Sequence, residues 1–199
     1  MIAITGQSIT RALLAPAFAL LLSSCTSVLV QTTGAEGIVE DPTERTAGAV
    51  VEDQSIETKI LVNLKKLEPE LKKANIDAIS HNGVVLLVGQ VGSESLKARA
   101  TQITSDSSSK IKRIHNELEV AGKTSLLSRS NDIWIATKVR TLMLANSSVP
   151  SGQIRVVTDN GIVYLMGIVS QADGDLATDL ARNVSGVTRV VKVFEYVDF

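Results

Sequence analysis

The 199-residue sequence holds a single cysteine, Cys25, so no disulfide can form within the chain. Aromatics are scarce: three Phe, two Tyr and one Trp. A core must therefore come from Val, Ile, Leu and Ala. The two histidines, His81 and His115, have no second ligand at metal-binding spacing. They read as structural, His81 at a hairpin turn and His115 in a strand beside Asn116. Twenty basic residues stand against 21 acidic ones. That balance leaves no global positive field to attract nucleic acid. No Gly-rich loop precedes a helix in the phosphate-cradling pattern, and no Gly-x-Ser-x-Gly elbow occurs. Asp173, Asp175 and Asp179 lack the loop geometry of a calcium site and read as a solvated helix face. No metal site and no cofactor is expected, and binding is favoured over catalysis.

What is present begins at the N-terminus. Arg11 is followed by an unbroken apolar run, Ala12 to Leu22, of 11 residues. That length suits the centre of a signal peptide and is too short to span a bilayer. The run ends in Leu22-Ser23-Ser24-Cys25, a Cys after Leu-small-small, which lipoprotein-processing enzymes read. Residues 1–24 are thus expected to be a signal peptide, and Cys25 the lipid attachment site, bearing diacylglyceryl and palmitate. An Asp after the Cys often retains lipoproteins at the inner membrane. Thr26 stands there instead and points to the outer membrane. Acyl chains contribute roughly 0.8 kcal/mol per buried CH₂, so several hold a protein stably. Residues 25–52 read as the lipidated N-terminus and a linker, broken by Asp41-Pro42, Gly34, Gly37 and Gly48.

The rest of the sequence repeats. Asn82-Gly83-Val84-Val85-Leu86-Leu87-Val88-Gly89 matches Asn160-Gly161-Ile162-Val163-Tyr164-Leu165-Met166-Gly167 at a shift of 78. Asp53 and Thr58-Lys59-Ile60 match Asp132 and Thr137-Lys138-Val139 at 79, and Ile111–Ile114 matches Val187–Val190 at 76. A duplication explains this better than chance. Each copy opens with a helix, its core stripe at Ile56, Ile60 and Leu64 or at Ile135, Val139 and Leu142. Asp53 and Asp132 are expected as N-caps. Two strands follow in each copy, joined through Asn-Gly, the strongest short hairpin signal because a type I′ turn needs two positive φ values. A second helix (about 93–105 and 172–184) and a last strand (114–120 and 190–197) complete each copy. The fold class is α+β: two tandem domains, 53–121 and 130–199, each α-β-β-α-β with two helices packed on a three-stranded sheet. A module this small has a marginal core, so docking two would help.

The hairpin ending in Gly-Val-Val-Leu-Leu-Val-Gly and the late Gly186-Val187-Thr188-Arg189-Val190 strand entry resemble the BON domain. Two such domains behind a lipobox resemble the DolP (formerly YraP) family of outer-membrane lipoproteins. Ser130–Arg140 and Val88-Gly89-Gln90 look especially close. The resemblance implies a periplasm-facing protein that binds anionic phospholipids (cardiolipin, phosphatidylglycerol) through its second BON domain. It further implies support of outer-membrane integrity and links to division sites and the outer-membrane assembly machinery. In the family the first helix of the second domain faces lipid; matched here, that helix begins at Asp132.

The residues support such a face in part. With Ile135, Val139 and Leu142 on the core stripe, Trp134, Lys138 and Thr141 fall on an adjacent one, and Ile133, Thr137 and Arg140 could widen it. An aromatic beside a Lys on an amphipathic helix suits the headgroup region. The counterpart of Trp134 in the first copy is Ser55. Packing of Trp134 between the domains or against the linker is the alternative for this residue. For the whole chain the alternative is a protein-interaction adaptor docking on an envelope assembly. Lys65, Lys66, Lys72 and Lys73, diluted by Glu68 and Glu70, read as a solvated helix end.

Overall fold

A computed structural model describes residues 41–122 and 126–198, with side chains given for all but 126 and 127. Cys25, the apolar run 12–22 and most of the expected linker lie outside the described residues. Among those described, no helix is long and apolar enough to cross a membrane.

The first module runs α1 (Ala47–Leu67), β1 (Asn75–His81), β2 (Val84–Val91), α2 (Glu94–Ser107), β3 (Arg113–Asn116) and β4 (Glu119–Val120). The second runs α3 (Leu126–Ala145), β5 (Ile154–Asp159), β6 (Ile162–Val169), α4 (Gln171–Arg182) and β7 (Arg189–Tyr196). In each sheet the long apolar strand is central, antiparallel to its hairpin partner and parallel to the last strand. The last strand of the first module, expected to be continuous, is broken after Asn116. The Asn116 side chain turns in to donate to the Lys97 carbonyl and Thr101 Oγ1, while its Oδ1 accepts from Leu118 N–H.

Both hairpins turn as the Asn-Gly pairs require. Asn82 and Gly83 have φ of 53° and 78°, and Asn160 and Gly161 have 50° and 76°. The two acids expected as N-caps do something else. Helix α1 starts before Asp53, capped by Thr46, whose Oγ1 accepts from Ala49 N–H. The first turns of α1 therefore occupy part of the stretch expected as linker. Asp53 sits on the buried stripe with Ile56, Ile60 and Leu64. Its carboxylate accepts from Ser80 Oγ (2.7 Å), Asn82 N–H (2.8 Å) and Gly83 N–H (2.9 Å), and pairs with Arg45 at 2.8 Å. Asp132, likewise inside α3, accepts from Asn160 N–H (3.0 Å) and Gly161 N–H (2.8 Å). Each acid thus ties the first helix of its module to the hairpin turn. Burial alone would raise the Asp53 pKa, but the bonds from Ser80, Gly83, Asn82 and Arg45 bring it below its ordinary value.

Every residue of β2 and of β6 is buried. Alternate side chains explain why. Val85, Leu87 and Val91 pack with Ile56, Ile60, Leu64 and Ile103 of the first module's helices. Val163, Leu165 and Val169 do the same with Ile135, Val139, Met143 and Ala177. The opposite faces meet each other: Ile79, Val84, Leu86 and Val88 pack against Ile162, Tyr164, Met166 and Val193. The described chain is therefore four layers, helices outside and two sheets back to back. Polar ties frame this seam. Asn82 Nδ2 donates to Glu195 (3.1 Å), Asn160 Nδ2 to Glu119 (3.4 Å), and Gln90 Nε2 to Asp159 (3.1 Å). Arg155 pairs with Glu57 at 2.9 Å.

His81, at the end of β1, is also at this seam and 6% exposed. Burial disfavours its charged form, Arg45 and Arg155 repel a proton there, and Asp53 only partly offsets them, so its pKa is pushed down to about 4. An unfolded His81 takes a proton near pH 6.5, so the unfolded state binds more protons between those values and stability falls as pH drops through that window. Two outcomes follow. In urea unfolding, Asp53→Ala is expected to lose about 2–4 kcal/mol with the denaturant slope unchanged, because buried backbone donors lose their acceptor. His81→Gln is expected to narrow the stability difference between pH 7.5 and pH 5 by about 2 kcal/mol.

Candidate functional site

Helix α3 buries Ile135, Ala136, Val139 and Met143 and turns its other side outward. The expected stripe is off at its last position: Leu142 is 44% exposed and Met143 is 1% exposed. Spacing of four from Val139, as between Ile60 and Leu64, continues the stripe where spacing of three leaves it. Leu142 thus joins the outer face. That face carries Ile133 (70% exposed), Trp134 (47%) and Leu144 (73%) as well.

Trp134 is packed neither into the seam core nor into the helix–sheet core. Lys138 Nζ lies 3.8 Å from the centre of its ring, a cation–π contact that sets a positive charge against the indole. Thr137 and Thr141 are exposed, yet their hydroxyls donate to the carbonyls one turn back, to Ile133 at 2.8 Å and Thr137 at 2.9 Å. With their donors occupied, these threonines lose less on leaving water than free hydroxyls would. Five of the six residues expected at a lipid face, Ile133, Trp134, Thr137, Lys138 and Thr141, therefore share one exposed surface. Arg140 is committed differently, with Nη2 donating to the Val156 carbonyl of β5 at 2.6 Å. Leu142 and Leu144 are the members that sequence reasoning missed. The repeat shift of 79, which lays Leu64 over Met143, held the signal for both.

The corresponding positions of α1 are Gln54, Ser55, Thr58, Lys59, Val62, Asn63 and Lys65. Only Val62 among them is strongly apolar. The outer face of α3 is thus a departure from the shared pattern. Between α3 and β5 runs a cleft of about 440 Å³, reached by Ile133, Arg140 and Asp159. Burial, and next the neighbouring Asp132, raise the Asp159 pKa. Among the described residues no group of three or more His, Cys, Asp or Glu could hold a metal ion.

Comparison with known proteins matches this architecture. Residues 52–122 and 131–198 each match the BON domain. A Haemophilus influenzae protein named outer membrane lipoprotein DolP is 34% identical over 161 residues, covering 81% of this chain and 82% of its own. An Actinobacillus pleuropneumoniae protein named 21 kDa hemolysin is 37% identical over 153 residues, covering 77% and 78%. The osmotically-inducible protein Y of Escherichia coli is 28% identical over 153 residues, covering 75% of each. With two BON domains in tandem and this level of identity along most of its length, the chain belongs to the dual-BON-domain family typified by DolP.

Proposed function

We propose that this protein is an outer-membrane lipoprotein, held by acyl chains on Cys25 with its folded part in the periplasm, that binds anionic phospholipid through the outer face of α3. In this role it supports the integrity of the outer membrane and acts by binding rather than by catalysis. The observation that carries the reading is the exposed set Ile133, Trp134, Leu142 and Leu144 around Lys138, the chain's one Trp among them, at positions whose counterparts in α1 are Gln54, Ser55, Asn63 and Lys65. A lone exposed apolar residue needs no explanation, but four across the solvent-facing half of one helix mark an interaction surface. Full burial of such side chains is worth roughly 1.5–3 kcal/mol each. The exposed half to three quarters of these four would give on the order of 5 kcal/mol on insertion. That is too little to hold a protein on a membrane from dilute solution. It suffices to orient one already tethered, and to select lipids when Lys138 meets an anionic headgroup.

The outer-membrane placement is supported by the lipobox at Leu22–Cys25, by Thr26, and by the name of the Haemophilus influenzae relative. Residues 42–199 form one compact unit, which an unlipidated form starting at Thr26 keeps entire. In flotation with phosphatidylglycerol or cardiolipin vesicles, this form is expected to bind, and Trp134→Glu to weaken binding by about tenfold or more while the fold survives. Unchanged binding by that variant would remove α3 as the site. Capture of an assembly-machinery protein without vesicle binding would favour the adaptor.

A further inference from the structure

The seam between the modules carries a charge pattern that the outer face of α3 does not use. A cleft of about 330 Å³ is lined by Arg45 and His81 from the first module and by Arg140, Gln153 and Arg155 from the second, with no carboxylate among its lining residues. An adjoining cleft shares Arg45 and His81 and adds Glu44. Each of the three guanidinium groups commits one terminal nitrogen to the protein. Arg45 Nη1 donates to Asp53 at 2.8 Å, and Arg155 Nη1 to Glu57 at 2.9 Å and the Ser80 carbonyl at 3.2 Å. Arg140 Nη2 donates to the Val156 carbonyl at 2.6 Å.

Asp53 and Glu57 lie behind their partners, their side chains 5% and 13% exposed, and offset two of the three positive charges. The Val156 carbonyl is neutral, so Arg140 has no carboxylate hydrogen-bonded behind it; Asp77, Asp132 and Asp159 line the neighbouring cleft that it also borders. The Arg45 and Arg155 side chains remain 23% and 40% exposed. The cleft, lined by no carboxylate, therefore presents guanidinium N–H groups from three separate segments of the chain. A planar fork of such donors matches the oxygens of a phosphate, which can take two from each arginine.

We propose that Arg45, Arg140 and Arg155 form a phosphate-oxyanion site at the seam between the modules. The cleft between α3 and β5 shares Arg140, Arg155 and Val156 with it and reaches Ile133, at the margin of the apolar face. A bilayer seated on α3 brings phosphodiesters to that margin, whereas free phosphate enters from solvent. As a lipid-headgroup site the assignment rests on the membrane reading of α3; as a phosphate site it does not.

His81 reports on the site from within. Arg45 and Arg155 disfavour its proton, and Asp53 and an anion between the arginines favour it. The other histidine, His115, lies in β3 and serves as a control in the same spectrum. The test follows both imidazoles by NMR as pH is varied, in the unlipidated Thr26 form, in chloride and in inorganic phosphate at matched ionic strength. In mildly acidic buffer that probe carries one negative charge, as a phosphodiester does. The His81 pKa is expected to rise by about half a unit or more in phosphate, with His115 unmoved. Arg140→Gln is expected to remove the rise while the amide spectrum and melting temperature stay close to wild type. No rise in the unsubstituted protein, or equal rises at both histidines, overturns the site whatever the variant does. Vesicles separate the sources. Weaker flotation of Arg140→Gln on phosphatidylglycerol, with the phosphate response lost as well, assigns the site to lipid headgroups. Unchanged flotation with the response lost assigns it to free phosphate. A His81 response to phosphate in protein that does not float, or whose flotation Trp134→Glu leaves unchanged, leaves the site standing and sinks only the membrane reading.

Discussion

The structure depends on two strands that are apolar on both sides. β2 and β6 each give one set of side chains to their own helices and the other to the opposing sheet. A half-buried strand alternates apolar and polar residues, and these do not. The consequence is geometric. With sheets back to back, the helices of both modules become the outer layers, and α3 must present one side to whatever surrounds the protein. The seam is framed by paired polar ties, so the modules hold one register. Its rim brings residues from distant parts of the chain, Arg45, Arg140 and Arg155, to one cleft.

Duplication supplied the frame and divergence supplied the surface. Both copies keep an acid on the first helix, aimed at the Asn-Gly turn of the hairpin, and so keep the same helix-to-sheet geometry. Positions that this geometry leaves outside were free to change. At the α1 positions matching the outer face of α3 all but Val62 are polar, and α1 exposes Val50, Val51 and Leu67 elsewhere along its length; in α3 the matching positions are Ile133, Trp134, Leu142 and Leu144 around Lys138. On the proposed reading the acyl anchor supplies membrane affinity and α3 supplies orientation and choice of lipid. Affinity from α3 alone would be modest.

Much of this was legible in the sequence because local chemistry decides it. The Asn-Gly hairpins follow from the φ values that their turns require, and the helix stripes from spacing. Asp53 and Asp132 were misread because an acid before a periodic apolar run looks like a cap. Their true partners, the turn amides, lie nearly thirty residues away, and only the fold brings them close. Leu142 was misplaced by one position in a helix where spacings of three and four both fit; the duplicate helix resolves it. The docking of sheet on sheet left its mark in the missing alternation of β2 and β6. The arginine cleft left none, since its members come from three separate segments with no shared motif.

The chain's one tryptophan sits on the outer face of α3, the face proposed to enter the lipid headgroup region. Its fluorescence therefore reports that entry without any substitution. Adding phosphatidylglycerol vesicles to the unlipidated protein is expected to shift the Trp134 emission to the blue. Lipids brominated near the headgroup are expected to quench it more strongly than lipids brominated near the chain ends. Protein that floats with these vesicles while its emission neither shifts nor is quenched would be bound through another surface, and α3 would not be the lipid face.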